Sequence, residues 1–118
     1  MCKMGIELVL RVDGEEKRLK GYYHPAGCMH ASQSHLDLEP PKGTWLWDVA
    51  RPRGTSLRCR SDNECVTIIY AGLGLEAKLC IPNARLRCKN RVYVMVTRSG
   101  RLYVGPVALS RVEKKDST

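Results

Sequence analysis

The chain contains no phenylalanine, and aromatic residues make up only 6% of its 118 positions. Any core must therefore be aliphatic, resting on Val, Leu and Ile with a few Tyr and two Trp, and the 43% hydrophobic content is enough to build one. No apolar run approaches the roughly 18 residues that a membrane-spanning helix needs, so no membrane partner is expected. The start, Met1 to Gly5, leads into an apolar run interrupted by Glu7 and Arg11. It lacks the unbroken apolar centre of a secretory leader. A cytoplasmic or nuclear protein is expected, and a secreted one only if Met1 was added to a mature chain.

Other absences narrow the chemistry. There is no Gly-rich phosphate loop, no serine elbow and no pair of carboxylates at a telling spacing, so no enzymatic activity is expected. Gly72-Leu73-Gly74 is too short for a phosphate cradle and reads as a turn. No C-x-x-C pair occurs, which removes most structural zinc motifs. His24, Cys28, His30 and His35 nevertheless crowd into twelve positions and include every histidine of the chain. They are the one candidate metal cluster, with zinc as the candidate ion, although their spacing matches no standard finger. A Cys28–His30 or Cys28–His35 thiol pair can be drawn, but a nucleophile and its base are normally brought together by the fold. Six cysteines are an even number, consistent with a disulfide framework in a secreted domain. A chain of this length needs no staples, and without a leader the cysteines are expected reduced, as small buried hydrophobes or free thiols. Cys59 and Cys65 flank a turn, so they could sit opposite each other across a hairpin.

What the chain does have is positive charge, concentrated in one place. Its formal net charge is +8, and residues 51–101 alone carry eleven basic side chains against three acids. The rest of the chain is neutral. Nine of those eleven cations are Arg, which binds phosphate through a planar fork and stacks on rings better than Lys does. Asymmetry of this kind points to nucleic acid, an anionic surface or an acidic protein. The plain alternative is a solubilising surface.

Within that segment, Arg85, Arg87, Lys89 and Arg91 occupy every second position, alternating with Ala84, Leu86, Cys88 and Asn90. A strand has a side-chain period of two, so these four cations would share one face. Val92, Val94 and Val96 continue the apolar phase and Tyr93 the cationic one. Arg98-Ser99-Gly100-Arg101 reads as a turn into Leu102-Tyr103-Val104, completing a basic-faced hairpin with Tyr103 nearby. Arg58 and Arg60 alternate in the same way, and Arg51 and Arg53 lie in a basic loop.

The remaining chain also reads as strands. Ile6, Leu8, Leu10 and Val12 share a face, Asp13-Gly14 is a tight-turn dipeptide, and Lys17–Tyr23 returns. Residues 24–43 form a long irregular loop with room for a short helix over about Ala31–Leu38. Thr44–Val49 reads as a strand with Trp45, Trp47 and Val49 on one side, at least one Trp being core. Short strands at Leu57–Arg60, Cys65–Ala71 and Leu75–Ile81 follow. The pattern predicts an all-β fold, a small sandwich or barrel of about eight short antiparallel strands, with α+β second. One domain over 1–112 precedes a polar tail, 113–118.

The function expected from these residues is non-enzymatic binding of nucleic acid, RNA before DNA. It would use Arg51, Arg53, Arg58, Arg60, Arg85, Arg87, Lys89, Arg91, Tyr93, Arg98 and Arg101, with cations following phosphates and rings stacking on bases. The alternative is a β-sandwich that docks an acidic protein, or pairs with a partner or a second copy through a sheet edge. Charges on a half-exposed edge strand also serve simply to prevent aggregation.

Overall fold

A computed structural model describes residues 2–28 and 33–111 of the chain. Eight strands succeed one another: β1 (Met4–Val12), β2 (Glu15–His24), β3 (His35–Leu38), β4 (Thr55–Asp62), β5 (Cys65–Tyr70), β6 (Leu75–Cys80), β7 (Ala84–Val96) and β8 (Leu102–Arg111). A five-residue helix, α1 (Trp45–Val49), precedes β4, and a 3-10 turn over Ala71–Leu73 joins β5 to β6. The strands close into an antiparallel barrel in the order β1-β2-β3-β8-β7-β4-β5-β6. The all-β expectation holds, as a barrel and not a sandwich. The tail at 113–118 lies outside the described residues.

The turns follow from local chemistry. Asp13 and Gly14 both take positive φ, 51° and 77°, as a two-residue hairpin whose twist matches its strands requires. Asn63, at φ 51°, plays the same part between β4 and β5. Strand alternation then sorts the side chains. Leu8, Leu10, Leu36, Leu38, Val66, Ile68, Leu79, Leu86, Val92, Val94, Leu102 and Val104 are at most 1% exposed and fill the barrel. Each fully buried residue of this size contributes roughly 1.5–3 kcal/mol of transfer free energy, so a core without Phe suffices.

Two segments depart from the sequence reading. Thr44–Val49 is not a strand; Trp45–Val49 is helical. The Pro40–Gly43 stretch turns the chain, Thr44 Oγ1 donates to the Pro41 carbonyl at 2.8 Å, and Trp47 N and Asp48 N both donate to Thr44 O. A short helix here satisfies its own backbone without a strand neighbour. It seats Leu46 in the core and packs Trp45, Trp47 and Val49 against it. The helix expected over Ala31–Leu38 is also absent from the described part, where residues 35–38 form β3. Residues 29–32 lie outside the described residues. Leu36 and Leu38 point inward in β3, and a period of two over four residues is too short to stand out in a Pro- and Gly-rich stretch.

The cysteines are a third correction. They are not reduced: Cys2–Cys28, Cys59–Cys88 and Cys65–Cys80 are disulfides, and no thiol is left free. The register explains the pairing. Cys65 stands directly opposite Cys80 in the β5–β6 ladder, whereas Cys59 stands opposite Ile68 and Cys65 opposite Asp62. The expected Cys59/Cys65 juxtaposition therefore does not arise. Cys59 reaches instead across to β7, where its Cα lies 6.2 Å from that of Cys88.

The Cys59–Cys88 bond spans 29 positions, and a closed loop of that length restricts the unfolded chain by about 3–4 kcal/mol. The double variant Cys59→Ala/Cys88→Ala should therefore lose about that much unfolding free energy in urea. It should keep a β-type circular dichroism spectrum because the aliphatic core remains. An unchanged urea midpoint would show that the bond is not part of the native protein.

Candidate functional site

The cations expected to act together are carried by β7 and β4, which are neighbours in the barrel. Arg85, Arg87, Lys89, Arg91 and Tyr93 are all exposed, while Leu86, Val92 and Val94 between them are buried. Arg58 and Arg60 are exposed on β4, flanking the buried Leu57 and Cys59. The alternation read from the sequence thus becomes an outward basic wall. In the β4–β7 ladder Arg58 stands directly opposite Arg91. Like charges in that position repel. Among the described residues, none of Arg58, Arg60, Arg85, Arg87, Lys89 and Arg91 makes a salt bridge.

The wall is not one regular strand. Between Cys88 and Tyr93, β7 advances five residues while β8 advances only from Val107 to Gly105. Pro106 sits at this break, and a residue without an N–H cannot donate to the ladder. Lys89, Asn90 and Arg91 are extruded together and are all exposed. Below the break the ladder is regular: Arg85 faces Ser110 and Arg87 faces Ala108, both small and exposed. The two arginines stand over low ground, open to a ligand lying along β8.

Sequence reasoning missed a lateral extension. Reading outward positions across the barrel, Arg60 stands opposite Thr67, Thr67 opposite Lys78, and Lys78 opposite Arg11. These residues line a surface depression of about 220 Å³ together with the carboxylates of Asp13 and Glu76. Lys78 Nζ lies 3.9 Å from Asp62, and Arg11 Nε bonds Glu16 at 3.1 Å. Arg11 comes from a neutral part of the chain, and only its outward phase on β1 pointed to it.

The other expected residues disperse. Arg51 and Arg53 are exposed in the loop before β4, where Arg51 forms an isolated bridge with Met95, near the Tyr93 end of the row. Arg98 is exposed in the β7–β8 turn, ten or more residues along β7 from Arg85 and Arg87. Arg101 turns away from the wall: its Nε donates to Asp37 Oδ1, and its guanidinium lies 5.6 Å from the Tyr22 ring centroid. Tyr103 is directed the same way.

Arg101 and Tyr103 belong to a second cluster, on the outer face of β2, β3 and β8. The His24 and His35 rings stack at 4.6 Å, and His35 stacks on Tyr103 at 4.4 Å. Asp37 lies beside them, its Oδ2 3.5 Å from His24 Nε2. Gln33 donates to the Tyr103 hydroxyl at 2.6 Å, and its carbonyl lies 3.1 Å from His35 Nδ1. A Cβ at Gly105 would come within 2.7 Å of the His35 Cβ, so glycine makes room for the stack. Two of the four residues expected around a metal, His24 and His35, do meet here. Cys28 is committed to its disulfide, which removes the thiolate a metal would need, and His30 lies outside the described residues. Among the described residues no three His, Cys, Asp or Glu side chains are grouped to hold a metal.

No protein-family model, curated protein or solved structure matches this chain. What the two clusters can do must be argued from their own chemistry.

Burial lowers the pKa of His35 below 6.5, with the neighbouring His24 acting in the same direction; the Gln33 carbonyl and Asp37 oppose it. A depressed imidazole pKa means that the unfolded chain takes up this proton first as pH falls. The contribution of His35 to stability is therefore complete above pH 6.5 and declines as acid carries the pH down through the folded value. The groups facing the ring are His24 from β2, Asp37 from β3 with Arg101 bound to it, and Tyr103 from β8. Melting temperatures measured from pH 7.5 to about 5 should fall for the native protein and fall less for His35→Gln. Identical slopes would remove His35 from the account.

Proposed function

We propose that the barrel is a non-enzymatic binding module for a linear polyanion, held along the outer faces of β7 and β4. The observation that carries this reading is the Arg58–Arg91 pair, two like charges directly opposite in a ladder with no carboxylate bridging them among the described residues. Such a pairing costs stability in the free protein and is relieved by an anion lying across it. Protection of an edge strand does not account for this pair, because Arg58 is paired on one side with Ile69 of β5 and on the other with Arg91 of β7. Arginine keeps its proton throughout the physiological range, so the wall is suited to binding charge and not to moving protons.

Nucleic acid, single-stranded RNA in particular, is one such polyanion. The observation in its favour is Tyr93, 53% exposed and in phase with the cations, where a base could stack. Docking of an acidic protein surface uses the same charges. Pairing through a sheet edge has less room, since every strand has two neighbours in the closed barrel, although parts of β1 and β2 extend past their ladders with β6 and β3.

Inorganic polyphosphate, which carries charge without rings, separates these elements. Its affinity should fall steeply with added salt, because binding releases counterions. Arg85→Ala/Arg87→Ala/Arg91→Ala should reduce the slope of log K against log salt by about 2, from roughly 0.7 per lost phosphate contact on a single strand. A salt-independent affinity, or equal binding by the triple variant, would defeat the proposal. If RNA is the ligand, polyuridine should outbind polyphosphate and Tyr93→Ala should abolish the difference.

A further inference from the structure

We infer that the polyanion held by the basic wall is a sulfated polysaccharide of the glycosaminoglycan class. The inference rests on the reading of the wall as a polyanion site and goes beyond it by naming the ligand. Three independent features converge on it.

The first is redox state. All six cysteines are paired, and the pairs lie in different parts of the barrel: Cys2–Cys28 ties the N-terminal segment to the chain after β2, Cys59–Cys88 joins β4 to β7, and Cys65–Cys80 joins β5 to β6. Persistent disulfides belong to oxidising surroundings outside the cytosol and nucleus. Sulfated polysaccharides are the abundant linear polyanions of the cell exterior, whereas RNA is chiefly intracellular. The second feature is the scarcity of rings. Proteins that hold single-stranded nucleic acid interleave cations with aromatic platforms. Here the outward neighbours of the cations are Ser110, Ala108, Ile69 and Thr67, and Tyr93 stands at one end of the row. A ligand with no flat bases loses nothing on such a surface.

The third feature is the shape of the charge. The cations form two arms: Arg85, Arg87, Lys89 and Arg91 along β7, and Arg58 and Arg60 leading sideways to Lys78 and Arg11. Successive outward residues on a strand are about 6.8 Å apart, and neighbouring strands about 4.8 Å. Anionic groups at irregular intervals along a flexible chain can meet such a two-dimensional array, and the guanidinium fork suits a tetrahedral oxyanion. The depression around Thr67 brings Arg60, Lys78 and Arg11 together with Asp13 and Glu76, and so offers a sulfate group three cations against two carboxylates.

Titration calorimetry at 150 mM salt, roughly the physiological ionic strength, decides the matter. The probes are a size-defined heparin oligosaccharide, the same oligosaccharide chemically desulfated, polyuridine of matched charge, and inorganic polyphosphate. The heparin oligosaccharide should bind at least tenfold more tightly than polyuridine. Desulfation should cost at least tenfold, and so should Arg85→Ala/Arg87→Ala/Arg91→Ala. Arg60→Ala/Lys78→Ala should weaken heparin more than polyphosphate. All the substituted residues lie on the barrel exterior, and circular dichroism checks that the variants stay folded. Equal or tighter binding of polyuridine would overturn the inference, as would indifference to desulfation. Binding of polyphosphate in those cases would leave the wall reading standing. Failure to bind any of the four probes would overturn both.

Discussion

The whole architecture depends on a four-residue strand. β3 joins β2 to β8 through Leu36↔Val104, Asp37↔Tyr103 and Leu38↔Leu102 on one side and Gly21–His24 on the other. Without it the N-terminal hairpin and the β7–β8 hairpin would each end in an open edge. Its pairings are long-range, so little of the loop-closure entropy is recovered until the barrel is nearly complete. Two features compensate. Leu36 and Leu38 are fully buried, and Gly21 permits an approach so close that a Cβ there would lie 2.5 Å from the Asp37 carbonyl oxygen. Closure is thus fixed by side chains that fill the barrel and by a side chain that is missing from its wall.

Closure also gives the surface its meaning. In an open sheet, cations on an outer strand are an ordinary defence against edge-to-edge association. In this barrel Arg58 is paired on both sides, with Ile69 and with Arg91, and there that defence has nothing to act against. Four cations on β7 that make no salt bridge among the described residues, and a fifth facing Arg91 from β4, then stand as a net electrostatic cost to the folded state. The cost is modest in water, about 1 kcal/mol for two unit charges 4 Å apart. It is nonetheless the kind of local conflict that proteins retain at functional surfaces.

Much of this was legible in the sequence because the signals were periodic. The alternation in Ile6–Val12, the Asp13-Gly14 turn and the Arg85–Cys88 phase each depend on neighbours in the chain and appear as read, whereas the irregularity after Cys88 exposes Asn90 beside Lys89 and Arg91. The failures have a common cause. β3 was too short for its period to register, and its pairing with β8 depends on residues some 65 positions away. Trp45, Trp47 and Val49 fit a strand pattern as well as they fit a one-turn helix, and the backbone bonds to the Thr44 and Trp47 carbonyls that mark the helix are visible only in the structure. The cysteine reading erred by reasoning from compartment to chemistry. Register, visible only after folding, set Cys65 against Cys80. The gathering of His24, His35, Asp37 and Tyr103 was legible only in part: the crowding of histidines was noticed, but its partner on β8 was not.

The Cys59–Cys88 bond finally ties the framework to the wall. The β4–β7 ladder ends at Arg58↔Arg91, and the β7–β8 ladder is interrupted from Cys88 to Tyr93. Lys89 and Asn90 therefore lie outside both ladders, between Cys88, which pairs with Val107 of β8, and Arg91, which pairs with Arg58 of β4. The disulfide also anchors Cys88 to β4, and the Cys88 N–H donates to Ser61 Oγ at 2.8 Å. A free loop with two like-charged tips would spread to relieve their repulsion, and ordering it against a ligand would then oppose binding with the entropy of several residues. Held at both ends, the cations are presented in one arrangement before the ligand arrives. The staple and the charges are in this sense one device: the bond that a barrel of this size does not need for its core is placed where the surface needs it most.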